Sequence, residues 1–594
     1  MDKESNIYRN RDKIKKEKKE YIGRKILKDN GWTDSLIEKC LPPPKKQSIS
    51  KSNFRYVWRK EDVVRAMETD RFRKLSKQVE EERIRQKIIS MKPVLSVLPK
   101  TMPELYPAAR LMKRHFVLHV GPTNSGKTYE AKQKLMEAAE GIYLGPLRLL
   151  AYEVCMDLRK HDVHCSLITG EEEDLDDEAT VQSSTVEMAN MSKVYDVAVI
   201  DEAQMIADIE RGGNWTKAIL GLCAEEIHVC LAPEAEEIVI ELIKSCHDTF
   251  EIKKHERFVP LIADEKEFIF PDDVQKGDAL IVFSRKDVHA CAAELKSENI
   301  PCSIIYGNLP YDVRHREAEK FANGESDVIV ATDAIGMGMN LPIKRVVFLH
   351  TMKFDGIERR ELKPEEVRQI AGRAGRYGLY DAGYYTSTKM NFNATIKELY
   401  ETETKNINKV VIGFPDTLLD IPEPISLTIL KWQKVELPKG FVRQNLDQMY
   451  KLVKELERVT DDKNFIFQFA SIPFDENCSS VYYLWQDIYK NELNGIHYNF
   501  VPIDITKLNL DALEEVYKTY DLLGNYYRKF GTYEEICDVL AEKLKVSKAI
   551  SKILDKQEYK AKTCKICGKR LSLFYPYSIC QKCHLESQIF GSYG

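Results

Sequence analysis

Residues 116–128 read FVLHVGPTNSGKT, and the fold follows from how that stretch is built. A short, mostly apolar run, Phe116–Val120, is strand-like, and Tyr129–Ala139 is helix-like. Between them stand Gly121, Pro122, Thr123, Asn124, Ser125, Gly126, Lys127 and Thr128, the full G-x-x-x-x-G-K-[ST] pattern. A strand before and a helix after are the context that makes this pattern a phosphate-binding loop. Glycines let the backbone wrap an anion so that successive N–H groups and the helix N-terminus face it. Lys127 is then expected to reach the β- and γ-phosphates of a nucleotide, and Thr128 to place its hydroxyl on Mg²⁺.

A loop of this kind needs carboxylates nearby. The apolar run Val197–Ile200 delivers Asp201, Glu202, Ala203 and Gln204, 74 residues after Lys127. Asp201 is placed to hold the metal and Glu202 to orient and deprotonate the attacking water; Gln204 completes the catalytic set on this side. An acid pair at a strand end is otherwise a solvated loop, and only the preceding phosphate loop gives it this meaning.

Kinases, GTPases and transporters share such loops, so a motor has to be read from a second domain. Gln369, Gly372, Arg373, Gly375 and Arg376 form QIAGRAGR. The sequence predicts both arginines on one helix face, three residues apart, reaching over as arginine fingers, with Gln369 meeting the nucleotide or its water. Upstream, Thr332-Asp-Ala-Ile-Gly336-Met-Gly338 follows the run Val328–Ala331, and Gly336 and Gly338 permit close backbone approach to a nucleotide. Ser284 and Arg285 end the run ALIVFSR with groups suited to phosphate contact.

Apolar runs alternate with amphipathic segments from 116 to 349, the signature of βαβ units and parallel sheets. The expected fold is α/β: two tandem RecA-like domains flanked by helical regions. The division is 1–104 (basic, mostly helical), 105–260 and 261–400 (the RecA-like pair), 401–560 (helical) and 561–594 (a small cysteine module). The proline-marked passage from Pro93 to Pro107 separates the first region from the second. With 594 residues, 43% hydrophobic and 31% charged, the chain has an ordinary globular composition. No apolar run reaches the roughly 18 residues of a membrane span. The first residues show neither a signal peptide nor a transit peptide, which makes a cytoplasmic protein the expectation. Net charge is −4, but both ends are basic while Glu171–Glu178 carries seven carboxylates. Each basic end suits either phosphate contact or a solvated helix face.

These motifs together resemble a superfamily-two DExH RNA helicase. More closely they resemble the ATP-dependent RNA helicase of the mitochondrial degradosome, the suppressor-of-var family. The resemblance rests on GPTNSGKTY, GPLRLLAYEV (145–154), TGEE (169–172), STVEM (184–188), DEAQMI, TDAIGMGMNL and QIAGRAGRYG. It implies ATP and Mg²⁺ as cofactors and translocation on single-stranded RNA from 3′ to 5′. It further implies duplex unwinding in RNA turnover, with an exoribonuclease as partner, and no membrane. Pro146, Arg148, Thr169, Gly170, Thr185 and Thr332 would then line the strand-binding face, where small polar groups grip backbone without reading bases. A DNA track, and an ATP-gated RNA clamp or scaffold without processive unwinding, stay open as readings. The acidic tract and the terminal cysteines depart from the family pattern.

Ten of the fourteen cysteines are scattered, as reduced thiols are. Cys564, Cys567, Cys580 and Cys583 instead form two C-x-x-C knuckles twelve residues apart, a donor set for structural Zn²⁺, with free thiols as the alternative. His584 is read as a bystander. Phe574, Tyr575 and Tyr577, with neighbouring lysines, suit either RNA stacking or the core of so small a module.

Overall fold

The computed structural model describes residues 20–30, 32–50, 53–170, 173–336, 339, 341–354, 358–556, 564–569 and 579–584. Gly338, Phe574, Tyr575, Tyr577 and residues 1–19 of the basic N-terminal region lie outside these residues. The chain divides into two compact units, Met1–Leu98 and Pro99–Gly594.

In the first unit, strand Asn53–Arg59 sits between Tyr21–Gly23 and Lys45–Ser50 in an antiparallel sheet. Helices Arg24–Asp29, Asp34–Cys40, Lys60–Glu68 and Asp70–Val97 accompany it. Its core includes Ile22, Leu27, Trp32, Leu36, Trp58 and Phe72. The sheet was not legible because Val57 and Trp58, adjacent in sequence, are both buried, which breaks the alternation that marks a strand. The helical stretch is cut at Thr69, whose hydroxyl accepts from Phe72 N at 3.2 Å as an N-cap. The following helix runs through Pro93 to Val97, past the point where the prolines suggest an end.

The second unit carries two large sheets, with two two-stranded ones beside them among the described residues. The first runs Thr249–Lys254, His115–Val120, Cys223–Leu231, Val194–Ile200, Gly141–Gly145, Val181–Thr185, Cys165–Ile168 and Glu173–Asp174. All its pairings are parallel except the last. In this register Val229 lies beside both Leu118 and Ile200, so the phosphate loop and Asp201 leave the same end of the sheet, one strand apart. That end is where open parallel sheets bind ligands. The two strands that lead into it are buried at that end: Phe116, Leu118, Ala198, Val199 and Ile200 are essentially inaccessible.

The second sheet runs Leu261–Ala263, Gly383–Ser387, Arg345–Phe348, Asp278–Ile281, Val328–Ala331 and Cys302–Ile305, all parallel. Residues 255–260 link the two sheets. Beyond it, strand Val410–Ile412 returns to the first domain, where helix Gly212–Gly221 packs on it and Thr216 Oγ1 donates to Val411 O. The long helices Leu510–Phe530 and Tyr533–Lys556 pack as a pair. Asp555 pairs with Arg316 and Lys320 of the second domain, and Arg528 donates to Gly170 O of the first. The C-terminal helices therefore bridge both parallel sheets.

Candidate active site

Asn124 (φ 58°) and Gly126 (φ 81°) hold left-handed backbone, which curls the phosphate loop into a concave nest of N–H groups. A Cβ at Gly121 would lie 2.4 Å from His255 O, so only glycine fits against the following linker. Lys127 Nζ donates to Gly121 O at 2.7 Å and Pro122 O at 2.6 Å, which keeps it over the loop. Ser125 Oγ ties back to Pro122 O at 2.8 Å.

Asp201 is 3% exposed. Three donors converge on its carboxylate: Tyr143 OH at 2.8 Å, Thr128 Oγ1 at 3.1 Å and its neighbour Glu202 N at 2.8 Å. Burial, reinforced by the Glu202 charge, nevertheless pushes its pKa up to about 6. A hydroxyl and a carboxylate at one spot are an oxygen donor set of the kind Mg²⁺ takes. Glu202 sits at φ 51°, a strained conformation for a residue with a side chain. Trp215 Nε1 donates to Asp201 O at 2.9 Å and helps to hold that turn. Gln204 Nε2 donates to Glu202 and its Oε1 accepts from Ala232 N at 3.1 Å, joining the acid pair to the end of strand Cys223–Leu231.

The arginine motif departs from expectation. Helix Pro364–Ala371 stops before Arg373, so the two arginines stand in a turn and not on a helix face. The reason is Gly375 at φ 77°, whose hypothetical Cβ would meet Gly383 N at 2.8 Å. The turn aims Arg373 inward: Nε donates to Gly336 O at 3.0 Å and a guanidinium nitrogen lies 4.0 Å from Glu202 Oε1. Burial lowers the Arg373 pKa from its ordinary value. Gln369 belongs to the helix itself, and its Cγ lies 3.5 Å from where a Gly336 Cβ would stand. Arg376 follows in the same turn, partly buried.

The two halves meet directly. Asn124 Nδ2 donates to Gly372 O at 3.0 Å. Arg257, from the linker, donates to Thr123 O at 3.1 Å, to Gly372 O at 2.8 Å and to Ala374 O, stapling the phosphate loop to the arginine turn. Sequence reading missed this residue, since it belongs to no motif and its acceptors, Val259 O among them, are backbone carbonyls.

A cleft of about 230 Å³ brings together Pro146, Arg148, Thr169, Gly170 and Thr185. It adds Arg211 and, from the second domain, Arg314. Arg211 is steered into place by Glu187 at 2.8 Å and Pro146 O at 2.5 Å. Arg148 lies 4.2 Å over the Tyr311 ring, a cation–π contact across the domains. Isolated arginines outside motifs gave no signal for Arg211 or Arg314.

Ser284, Arg285 and Thr332 are not among the residues lining this cleft. Ser284 caps helix Arg285–Ser297, accepting from Asp287 N at 3.1 Å. Arg285 pairs with Asp511 at 2.7 Å and Glu514 at 3.2 Å, so carboxylates of the C-terminal helix take the contacts expected of a phosphate. Thr332 is buried, and its hydroxyl accepts from Ala334 N at 3.3 Å. The acidic tract, in its described part, is held at the sheet edge by Arg159–Asp174 at 2.5 Å and His164–Asp176 at 2.9 Å.

The sulfurs of Cys564, Cys567, Cys580 and Cys583 lie within 4.8 Å of one another. Cys567 and Cys580 are 3.7 Å apart, close to the roughly 3.8 Å edge of a tetrahedron with 2.3 Å metal–sulfur bonds. Gly568 (φ 70°) makes the knuckle turn. Backbone N–H groups, first that of Cys567, bring the Cys564 thiol down to about 6.

The paired parallel sheets and the seam between them define a two-domain helicase core. Residues 103–255 match the DEXQ-box helicase domain of Suv3, and residues 262–378 match the helicase conserved C-terminal domain. In sequence the first domain of this core is therefore Suv3-type. The chain is 46% identical over 275 residues to the mitochondrial DExH-box ATP-dependent RNA helicase DExH16 of Arabidopsis thaliana, covering 46% of this chain and 48% of that one. It is 34% identical over 483 residues to DExH18 of the same plant, also mitochondrial, covering 76% and 62%. With the mitochondrial RNA helicase SUV3 of Saccharomyces cerevisiae the identity is 40% over 323 residues, covering 52% and 44%. The chain thus spans about half the length of the curated relatives it matches. A solved structure of S. cerevisiae Dbp5 with RNA and ADP BeF3 aligns at 17% identity over 62% of this chain and 96% of that one, with TM-score 0.38, too loose to add to the topology above.

The expectation of a cytoplasmic protein does not stand: these relatives are all described as mitochondrial. It rested on the composition of the first residues, which cannot give an address by lacking a signal. Among the described residues no helix is long and apolar enough to cross a membrane.

Proposed function

We propose that the chain is an ATP-dependent RNA helicase that moves 3′ to 5′ on single strands and opens duplexes during RNA turnover, with an exoribonuclease as its natural companion. What carries the reading is the contact of the phosphate loop with the arginine turn, through Asn124, Arg257 and Gly372, while a cleft next to that seam draws arginines from both domains. Its relatives' description as RNA helicases supports RNA as the track.

Thr128 and Asp201 would hold Mg²⁺, which when bound neutralises charge on the β- and γ-phosphates. Lys127 reaches the same phosphates from the loop it now caps. Glu202 takes the proton of the attacking water, and Gln204 keeps its carboxylate oriented. Arg373 and Arg376 stabilise charge developing on the γ-phosphoryl group, so hydrolysis depends on the two domains meeting. Release of that contact lets Arg314 move relative to Arg211, which turns hydrolysis into a step along the strand. The four terminal cysteines are assigned to a structural Zn²⁺, which stabilises a module too small for a core of its own.

The test is unwinding of duplex RNA bearing a 3′ or a 5′ tail, with ATP. Opening of the 3′-tailed duplex alone is expected. ATP hydrolysis and RNA binding without strand separation would instead indicate a clamp, and equal opening of DNA would remove the RNA assignment.

A further inference from the structure

A second group of side chains able to ligate a metal stands beside the phosphate loop, and the cycle above does not use it. His119, on the phosphate-loop strand, is fully buried. Its Nδ1 lies 3.0 Å from Nε2 of His255, the first residue of the linker. Glu130 Oε2, from helix Lys127–Met136, lies 3.6 Å from that same nitrogen. The three ligand atoms are all within 4.8 Å of one another. Metal–nitrogen and metal–oxygen bonds of about 2.0–2.1 Å give a tetrahedron with edges of about 3.3–3.4 Å, and the observed 3.0 and 3.6 Å bracket that value.

The other ring nitrogen of His119 and the other oxygen of Glu130 are already engaged, in the arrangement that orients metal ligands. His119 Nε2 meets His228 Nδ1 at 2.9 Å, and His228 Nε2 meets Glu226 Oε1 at 2.7 Å. The carboxylate at the end of this relay assigns the proton of each ring to Nε2, which leaves the His119 Nδ1 lone pair facing His255. Lys253 Nζ occupies Glu130 Oε1 at 2.8 Å, leaving Oε2 on the cluster side.

We propose that His119, His255 and Glu130 form a site for a borderline divalent cation, Zn²⁺ by the chemistry of its ligands, with solvent as the fourth ligand. Two imidazoles and one carboxylate favour such an ion over Mg²⁺ or Ca²⁺, which take oxygen shells. The ion takes the place of the proton between the two rings, and that proton moves to His255 Nδ1. Occupancy would tie the start of the linker to the helix that opens with Lys127. Because the His255 backbone packs against Gly121, and Arg257 two residues on staples the domains, the ion would stiffen the hinge at the phosphate loop.

The experiment uses the full chain, free of tags, with all four terminal cysteines changed to serine and Mg²⁺ in excess. Co²⁺ is titrated while visible absorption and thermal unfolding are recorded. One Co²⁺ per chain is expected, with tetrahedral d–d bands, no thiolate charge transfer and a raised Tm. Glu130→Gln and His255→Gln, both at partly exposed positions, should each weaken binding at least about tenfold, as should the remote Glu226→Gln. Absence of tetrahedral bands, or unchanged affinity in either Glu130→Gln or His255→Gln, overturns the site.

Discussion

Asp201 concentrates the chemistry of the first domain in one buried carboxylate. Its pKa, about 6, lies above the unfolded value of about 3.9, so the group favours the fold below pH 4, and that contribution is lost as pH rises through 6. Asp201→Asn should therefore raise Tm in Mg²⁺-free buffer above pH 7, with the gain shrinking as pH falls from 6 to 4; a gain that grows on acidification would contradict the assignment. Protons should also compete with Mg²⁺, so the Mg²⁺ needed for half-maximal ATPase rises below pH 6. Among the catalytic side chains, Glu202→Gln should lower kcat by about 10²–10⁴ while ATP binding persists, read by equilibrium binding. Arg376→Ala should lower it by about 10³–10⁵ with RNA affinity largely kept. Normal turnover in that variant would remove Arg376 from the site. In the cleft, Arg314→Ala should weaken single-stranded RNA binding for all sequences alike and reduce the salt slope by about 0.7.

At the scale of elements, what the sequence made legible was whatever local patterning encodes. Buried parallel strands read as short apolar runs, and the phosphate loop reads from its glycines and its flanks. The arginine turn did not, because its departure from helix is set by packing of Gly375 on Gly383, a long-range contact that spacing cannot show. For the same reason Arg285 looked like a phosphate contact: its partners Asp511 and Glu514 lie more than two hundred residues away. The N-terminal sheet hid behind a charged segment with two neighbouring buried residues. Gly375→Ala should cost about 1–2 kcal/mol from its left-handed backbone alone, with more from the collision at Gly383. It should lower Tm and ATPase together, measured by thermal melts beside steady-state rates. With the proposed Zn²⁺ on the terminal cysteines, its removal by a chelator should by contrast melt only the small module, leaving the main thermal transition in place.

For the whole molecule, the C-terminal helices matter because they hold both RecA-like domains at once, through Arg528 to Gly170 and Asp555 to Arg316 and Lys320. In the proposed motor the domains part and meet while the strand stays bound, and these contacts span both of them. In the proposed function, RNA in the cleft and ATP at the seam are coupled. Steady-state ATPase with and without single-stranded RNA or DNA, against Lys127→Ala as the blank, tests this most directly. Strong stimulation by RNA and little by DNA is expected. A rate indifferent to both nucleic acids would contradict the coupling, leaving a nucleotide site with no track.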